Sequence, residues 1–235
     1  MTNKKIPDSI KTFLDNSSLP AVVREGRQVV NNVQNSSSLF LMKTFFAIIL
    51  TIITLFTRTQ YPFEPSMMLL LEAFVIGIPS FLLTFEPNVK PISGNFIPQV
   101  LKRSLPRALL MLINVIIVMS LYSGQTALMT PEEAEEYTTI CVLVMTYTGF
   151  LNLASLCIPA TLLKWITMII SALGTTVAII LLPGLFSITS SSFTTLVCFF
   201  AIISVSILLI AIVELNQKRL DKFRDKVVQL LQKSE

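Results

Sequence analysis

The sequence predicts an all-α integral membrane protein, a bundle of six transmembrane helices, and three observations predict it. Of its 235 residues 53% are hydrophobic and only 14% charged, with a mean hydropathy of +0.73, whereas a soluble domain carries about a quarter charged residues. The charges collect between long apolar runs, which is how a bilayer sorts residues. The runs are continuous and do not alternate, so they are not the strands of a β-barrel.

A hydrocarbon core about 30 Å thick takes about 20 apolar residues of helix. Six segments meet that requirement: Leu39–Phe56, Met67–Phe85, Leu105–Tyr122, Thr138–Ile158, Leu162–Leu182 and Phe193–Val213. Turn chemistry separates them. Tyr61-Pro-Phe-Glu-Pro65 divides the first two, and Pro87, Pro91, Gly94 and Pro98 break up the second connection. Pro159 and Pro183-Gly184 end the fourth and fifth helices, where a missing N–H is harmless. Met1–Ser38 holds no apolar run of signal-peptide type, so insertion is expected to depend on the first transmembrane segment.

Orientation follows from the bases. Seventeen of the 18 Lys and Arg residues fall on one side, in the N-terminal segment, the second and fourth connections and the tail; Arg58 alone lies opposite. The third connection carries Glu132, Glu133, Glu135 and Glu136 and no base. The positive-inside rule then places both termini in the cytoplasm. The net charge of +4 is accounted for by topology, and no nucleic-acid partner is expected. Three regions result: a cytoplasmic stalk segment (1–38), a transmembrane domain (39–213) and a cytoplasmic amphipathic helix (214–235). Residues Ala21–Ser38 read either as an extension of the first transmembrane helix or as an interfacial helix. The tail, with Leu220, Phe223, Val227, Leu230 and Leu231 on one face, is expected at the membrane surface.

There is no histidine, which excludes imidazole catalysis and imidazole metal sites. Cys141, Cys157 and Cys198 sit unpaired within apolar runs and read as small buried hydrophobes. No Walker loop, dinucleotide fingerprint or Asp-Lys-Thr-Gly sequence occurs, so these residues alone are not expected to hydrolyse ATP.

An ionisable residue inside a transmembrane helix points to function. Glu72 lies about two turns into the second helix, and Gly77-Ile-Pro-Ser80 follows it. Pro79 has no N–H and its ring crowds the preceding turn, so the Val75 carbonyl is expected to lose its helical partner. A carboxylate beside freed carbonyl oxygens is a ligand set for Ca²⁺ or another hard cation; a kink used only for packing is the other reading. Candidates to complete the site are Thr44, Thr51 and Thr54 on the first helix, although such hydroxyls commonly bond their own backbone. Asn114 and Asn152 read as interhelical glue or as further ligands. Lys43 is expected to snorkel to the interface, and Glu214 to cap the sixth helix as a solvated charge. Gly149, Gly174 and Ala172 are expected to permit close helix contacts.

Two stretches carry a family resemblance. Leu19-Pro-Ala-Val-Val-Arg-Glu-Gly-Arg-Gln-Val-Val-Asn-Asn-Val-Gln34 and Ser37-Ser-Leu-Phe-Leu-Met-Lys43 resemble the stalk and fifth membrane helix of P-type cation ATPases. Tyr61-Pro-Phe-Glu-Pro65, Glu72-Ala-Phe-Val-Ile-Gly-Ile-Pro-Ser-Phe81 and Phe85-Glu-Pro-Asn88 resemble the sixth helix and its exit, and are most similar to the bacterial type E, calcium-pump-like branch. The ordered motifs run from Leu14 to Asn88; beyond them the resemblance rests on helix number and a basic end.

The resemblance implies the fifth to tenth helices of a pump that moves Ca²⁺ or another divalent cation in the cytoplasmic membrane of a bacterium, with Mg-ATP bound by the intact pump. It implies ion ligands on the sixth helix, hence Glu72; with the residues read above, the candidate metal set is Glu72, Val75, Thr44 and Asn152. Val75 and Ile76 stand where animal-type calcium pumps carry Thr and Asp, which implies at most one ion site or a different cation. The actuator, nucleotide and phosphorylation domains and the first four helices of the family precede the matched region. The chain is therefore expected to be a truncated product, a split subunit or a fragment that works with a missing N-terminal half. The alternative is a non-catalytic interaction or regulatory protein derived from a pump.

Overall fold

From Ala21 to Thr57 the sequence holds no proline and one glycine, Gly26, and with Pro20 in its first turn it forms one helix, α1 (Leu19–Thr57, 39 residues). At 1.5 Å per residue that is about 58 Å, nearly twice the hydrocarbon thickness. The polar stretch before the membrane is therefore a helical extension of the first span. The computed structural model describes residues 19–92, 95–122, 130–189 and 192–232, with backbone only for residues 19, 194 and 216–232. Lys4, Lys5, Lys11, Gly94, Lys233, the residues ahead of the matched motifs and the apolar stripe of the tail lie outside what is described.

The remaining spans are α2 (Pro65–Leu83), α3 (Phe96–Tyr122), α4 (Pro131–Leu156), α5 (Leu162–Leu181) and α6 (Phe193–Gln232). No strand occurs among the described residues. All six helices are long and apolar enough to cross a membrane: the chain is an all-α multi-pass membrane protein. Three expectations about extent are corrected. α3 starts at Phe96 and not Leu105, since Pro98 sits in its first turn, where the missing donor has no intrahelical partner to lose. Lys102, Arg103 and Arg107 are thereby helical residues. α4 starts at Pro131, because Thr130 and Glu133 form a capping box with bonds of 3.3 and 2.8 Å; the four glutamates belong to its first turns. α6 contains neither Gly nor Pro and runs unbroken to Gln232, so its backbone shows no separate tail helix.

The helices α1, α3 and α5 start, and α2, α4 and α6 finish, at the end rich in Lys and Arg, here the basic end. α1 packs along α3, α3 on α4 and α4 on α6, while α2 is inserted against α1, α4 and α5. The apolar window of α4 is 67% buried and that of α6 only 17%, which makes α4 the centre and α6 the periphery. In the core, Asn114 Nδ2 donates to Thr148 Oγ1 at 3.0 Å and Ser206 Oγ at 2.7 Å. One buried amide thus joins α3, α4 and α6, the glue role expected of it.

At the basic end α1 caps the exit of α2. A helix leaves its last carbonyls unpaired, and here they are met from the side. Ser36 Oγ donates to Ser80 O at 3.2 Å, and Asn32 Nδ2 donates to Thr84 O at 2.9 Å and Glu86 O at 2.7 Å. Asn31 Nδ2 donates to Asn88 O and Lys90 O at 2.9 and 3.0 Å. The buried Glu86 carboxylate then reaches α5, accepting from Thr161 Oγ1 at 3.0 and 2.9 Å with Lys164 Nζ 3.8 Å away. The Asn-Asn pair of α1 and the Glu-Pro-Asn turn form one joint. Replacing Asn32 by Ala strands two carbonyls and is predicted to cost about 1–3 kcal/mol. Thermal exposure of the buried Cys141 and Cys157 to a thiol-reactive dye in detergent reads this out; an unchanged midpoint contradicts it.

Candidate functional site: a broken helix at membrane depth

Glu72 stands at the point where α2 changes register. Pro65–Leu71 is α-helical, Glu72–Gly77 is a π-helical turn, and the α-helix resumes over Ile78–Leu83. Pro79 supplies the cause. In an α register its absent N–H belongs to the Val75 carbonyl, which its ring also crowds. The π turn widens the ladder by one residue, and the Ile78 N–H donates to Ala73 O, five residues back. In that register the donor missing at Pro79 belongs to Phe74. The expected orphan at Val75 is thus corrected to Phe74, whose carbonyl accepts from Ser171 Oγ of α5.

Two glycines let neighbouring helices close on this segment. A Cβ at Gly174 of α5 meets the Phe74 ring at 2.5 Å, and one at Gly149 of α4 meets Leu71 Cδ1 at 2.4 Å and Val75 Cγ1 at 3.3 Å. A side chain at either position forces Leu71 or the Phe74 ring to shift. Ala172, also expected at a close contact, is only half-buried.

The Glu72 carboxylate accepts from Lys43 Nζ of α1, an ion pair between two transmembrane helices. The snorkelling expected of Lys43 is therefore corrected: a carboxylate at the same depth holds the ammonium. Side-chain exposures of 28% and 42% put the pair on an open face of the bundle. The structure brings Lys43, and neither Thr44 nor Asn152, to the Glu72 carboxylate. Thr44 lies exposed and donates to Phe40 O at 3.0 Å, and Thr51 and Thr54 likewise bond their own helix. Asn152 is fully buried at the junction of α3 and α4, donating to Arg107 O at 3.3 Å. The Val75 side chain is wholly buried in the core.

A second polar cluster lies near the basic end. The Arg107 guanidinium, 8% exposed, donates to Ser155 Oγ at 3.0 and 2.9 Å, to Arg103 O at 2.7 Å and to Glu214 Oε1 at 3.3 Å. Glu214 is accordingly paired with α3 and not solvated. Asn152 Oδ1 has no protein partner. It borders a cavity of about 10 Å³ lined also by Arg107, Ser155 and Glu214, room for a single water.

Comparison with known proteins gives these features a family. Over 188 residues the chain is 31% identical to the probable cation-transporting ATPase exp7 of Streptococcus pneumoniae, a match covering 77% of this chain and 23% of that protein. Over 146 residues it is 31% identical to the calcium-transporting ATPase CtpE of Mycolicibacterium smegmatis, covering 57% of this chain and 18% of CtpE. Over 141 residues it is 28% identical to CtpE of Mycobacterium tuberculosis, at 55% and 18% coverage. The chain is a relative of the P-type cation-transporting ATPases. It spans less than a quarter of the length of each of these relatives, and its six helices fit their C-terminal transmembrane region. No family model matches it, and no solved structure does.

For this P-type ATPase relative the features that sequence reasoning missed are the Lys43 partnership, Ser171 and the Arg107–Glu214 pair. The first had a signal: two opposite charges in adjacent apolar spans. Ser171 had only a weak one, the four-residue spacing of Thr167, Ser171 and Thr175 on one face of α5. The close approach of α5 is directly testable. Gly174→Val is predicted to destabilise the bundle by about 1–3 kcal/mol, read as earlier thermal exposure of the buried cysteines. A bundle as stable as wild type contradicts the contact with Phe74.

Proposed function

We propose that this chain is the ion-carrying half of the membrane domain of a P-type cation pump, with the Glu72 carboxylate as the principal ligand of the transported cation. One observation carries the reading: an intramembrane carboxylate stands on a π-helical break, on an open face of the bundle. Oxygen ligands of this kind suit Ca²⁺ or another hard divalent cation. Val75, whose carbonyl is not the one the π register leaves without a donor, is proposed to join through its backbone only through a rearrangement of the turn. Thr44 and Asn152, directed elsewhere, are proposed to join only through a rearrangement. Among the described residues no three His, Cys, Asp or Glu side chains come together to hold a metal. The remaining ligands are then backbone carbonyls, hydroxyls or water, which fits one ion site.

Lys43 sets the conditions of entry. Its ammonium neutralises Glu72, so an arriving cation never confronts a bare carboxylate in hydrocarbon; a divalent ion brings two charges for the one it displaces, and the released Lys43 ammonium is proposed to turn to the open face of the bundle. The calcium transport named for the CtpE relatives supports a divalent substrate. Mg-ATP binding and phosphorylation are assigned to an N-terminal half of the pump outside these residues, in the same polypeptide or in a separate subunit. The basic end is proposed to face the cytoplasm, with both termini there, in a bacterial cytoplasmic membrane.

The test is equilibrium binding of radioactive Ca²⁺ to the 235-residue chain in lipid nanodiscs, with Mn²⁺ and Mg²⁺ as competitors. Glu72→Gln keeps the size of the side chain and removes its charge, and is predicted to weaken divalent binding at least about tenfold. Equal binding by the two proteins contradicts the assignment.

A further inference from the structure

We propose that Ser171 of α5 is a positioning residue for the Glu72 site, supplying from a second helix the hydrogen bond that Pro79 removes from α2. The proposal rests on the reading of Glu72 as the cation ligand and names the group that holds that ligand in place.

The argument starts from the hydroxyls of α5. Thr167, Ser171 and Thr175 form a buried stripe. Thr167 Oγ1 donates to Leu163 O at 2.9 Å, Thr175 Oγ1 to Ser171 O at 2.8 Å and the exposed Thr176 Oγ1 to Ala172 O at 2.8 Å. Each takes the carbonyl one turn back, the ordinary choice of a hydroxyl in an apolar helix. Ser171 does not. Its own carbonyl one turn back, Thr167 O, is at hand, yet Oγ donates across the interface to Phe74 O. That carbonyl is the one the π register leaves without a donor. Gly174, one turn further along α5, removes the side chain that would hold the helices apart.

The consequence for Glu72 is rotational. Adding or removing one residue in the ladder turns everything on one side of the break by about 100° relative to the other. The far side is fixed by Ser36 and Asn32 on the exit of α2. The register therefore decides which way Glu72 is presented relative to α1 and Lys43. Hydrocarbon offers no water to an unpaired carbonyl, so the bond from Ser171 stabilises the π register specifically. Without it the turn is free to exchange with other registers, and Glu72 is presented correctly only part of the time.

The experiment is a double-mutant cycle on Ca²⁺ binding in nanodiscs. Ser171→Ala is expected to weaken binding about fivefold to tenfold, the equivalent of one buried hydrogen bond. Pro79→Ala restores an N–H to α2, and in that background Ser171→Ala is expected to change binding less than twofold. Thr176→Ala, on the exposed face of α5, is expected to bind as wild type.

The bond itself has a readout that needs no cation. Phe74-Val75 is the sole Phe-Val dipeptide of the sequence. Labelling Phe with carbonyl ¹³C and Val with ¹⁵N thus isolates the Phe74 carbonyl in solid-state NMR. Its resonance is expected to move upfield on Ser171→Ala and to stay in place on Thr176→Ala. An unmoved resonance overturns the proposal. So does a moved resonance with unchanged Ca²⁺ affinity, which makes Ser171 structural only, and so does an equal loss in both Pro79 backgrounds. If wild type and Glu72→Gln bind alike, the reading of Glu72 falls and this proposal with it. If they differ while Ser171→Ala binds as wild type, only this proposal falls.

Discussion

The structure depends on one missing hydrogen-bond donor. Pro79 lies within a transmembrane helix, where no water can replace the N–H it lacks, and the surroundings of α2 answer that absence. The ladder widens over Glu72–Gly77, which moves the deficit from Val75 to Phe74. Ser171 supplies the donor, and Gly174 lets α5 come close enough to do so. Gly149 gives α4 a matching approach from another side. The break is thus held from two sides, by α5 and α4.

The paired charges divide into two kinds. Lys164 and Glu86 show 9% and 4% side-chain exposure, and Arg107 and Glu214 show 9% and 21%. These pairs are closed in and further bonded: Glu86 accepts from Thr161, Arg107 donates to Ser155 and Lys164 to Pro159 O; they tie the exit of α2 to α5 and α3 to α6. Removing one partner of a buried pair leaves an uncompensated charge, so their role is to hold helices. Lys43 and Glu72 are different: at 28% and 42% exposure they remain open on one side. An open pair between a carboxylate and an ammonium can exchange its cation without unpacking the core, and that distinction underlies the proposed transport role.

The six spans were legible in the sequence because the bilayer demands length and apolarity, and both can be counted residue by residue. Their ends were less so. Arg103 and Arg107 read as connection because charges near an apolar run mark its limit, but Arg107 has Ser155 and Glu214 to receive it, partners 48 and 107 positions away. Glu72 and Pro79 were legible as a site and a break. The register of the break was not: composition shows that a donor is missing but not which carbonyl loses it, since that depends on whether neighbours can stabilise a wider turn. Lys43 taken by its neighbours in sequence suits the interface; its partner lies 29 positions on, across a connection whose folding brings α1 beside α2. The stripe of Thr167, Ser171 and Thr175 was visible, but nothing in it singled out Ser171, because its meaning lies in a carbonyl 97 positions away.

The central claim is that a cation takes the place of the Lys43 ammonium at Glu72. Anomalous diffraction from crystals of the chain grown with saturating Mn²⁺ tests it most directly. The account predicts a metal peak about 2.0–2.6 Å from a Glu72 carboxylate oxygen, with the Lys43 ammonium withdrawn from that oxygen. A Lys43–Glu72 pair still closed at saturating Mn²⁺, with the metal bound elsewhere, would contradict it.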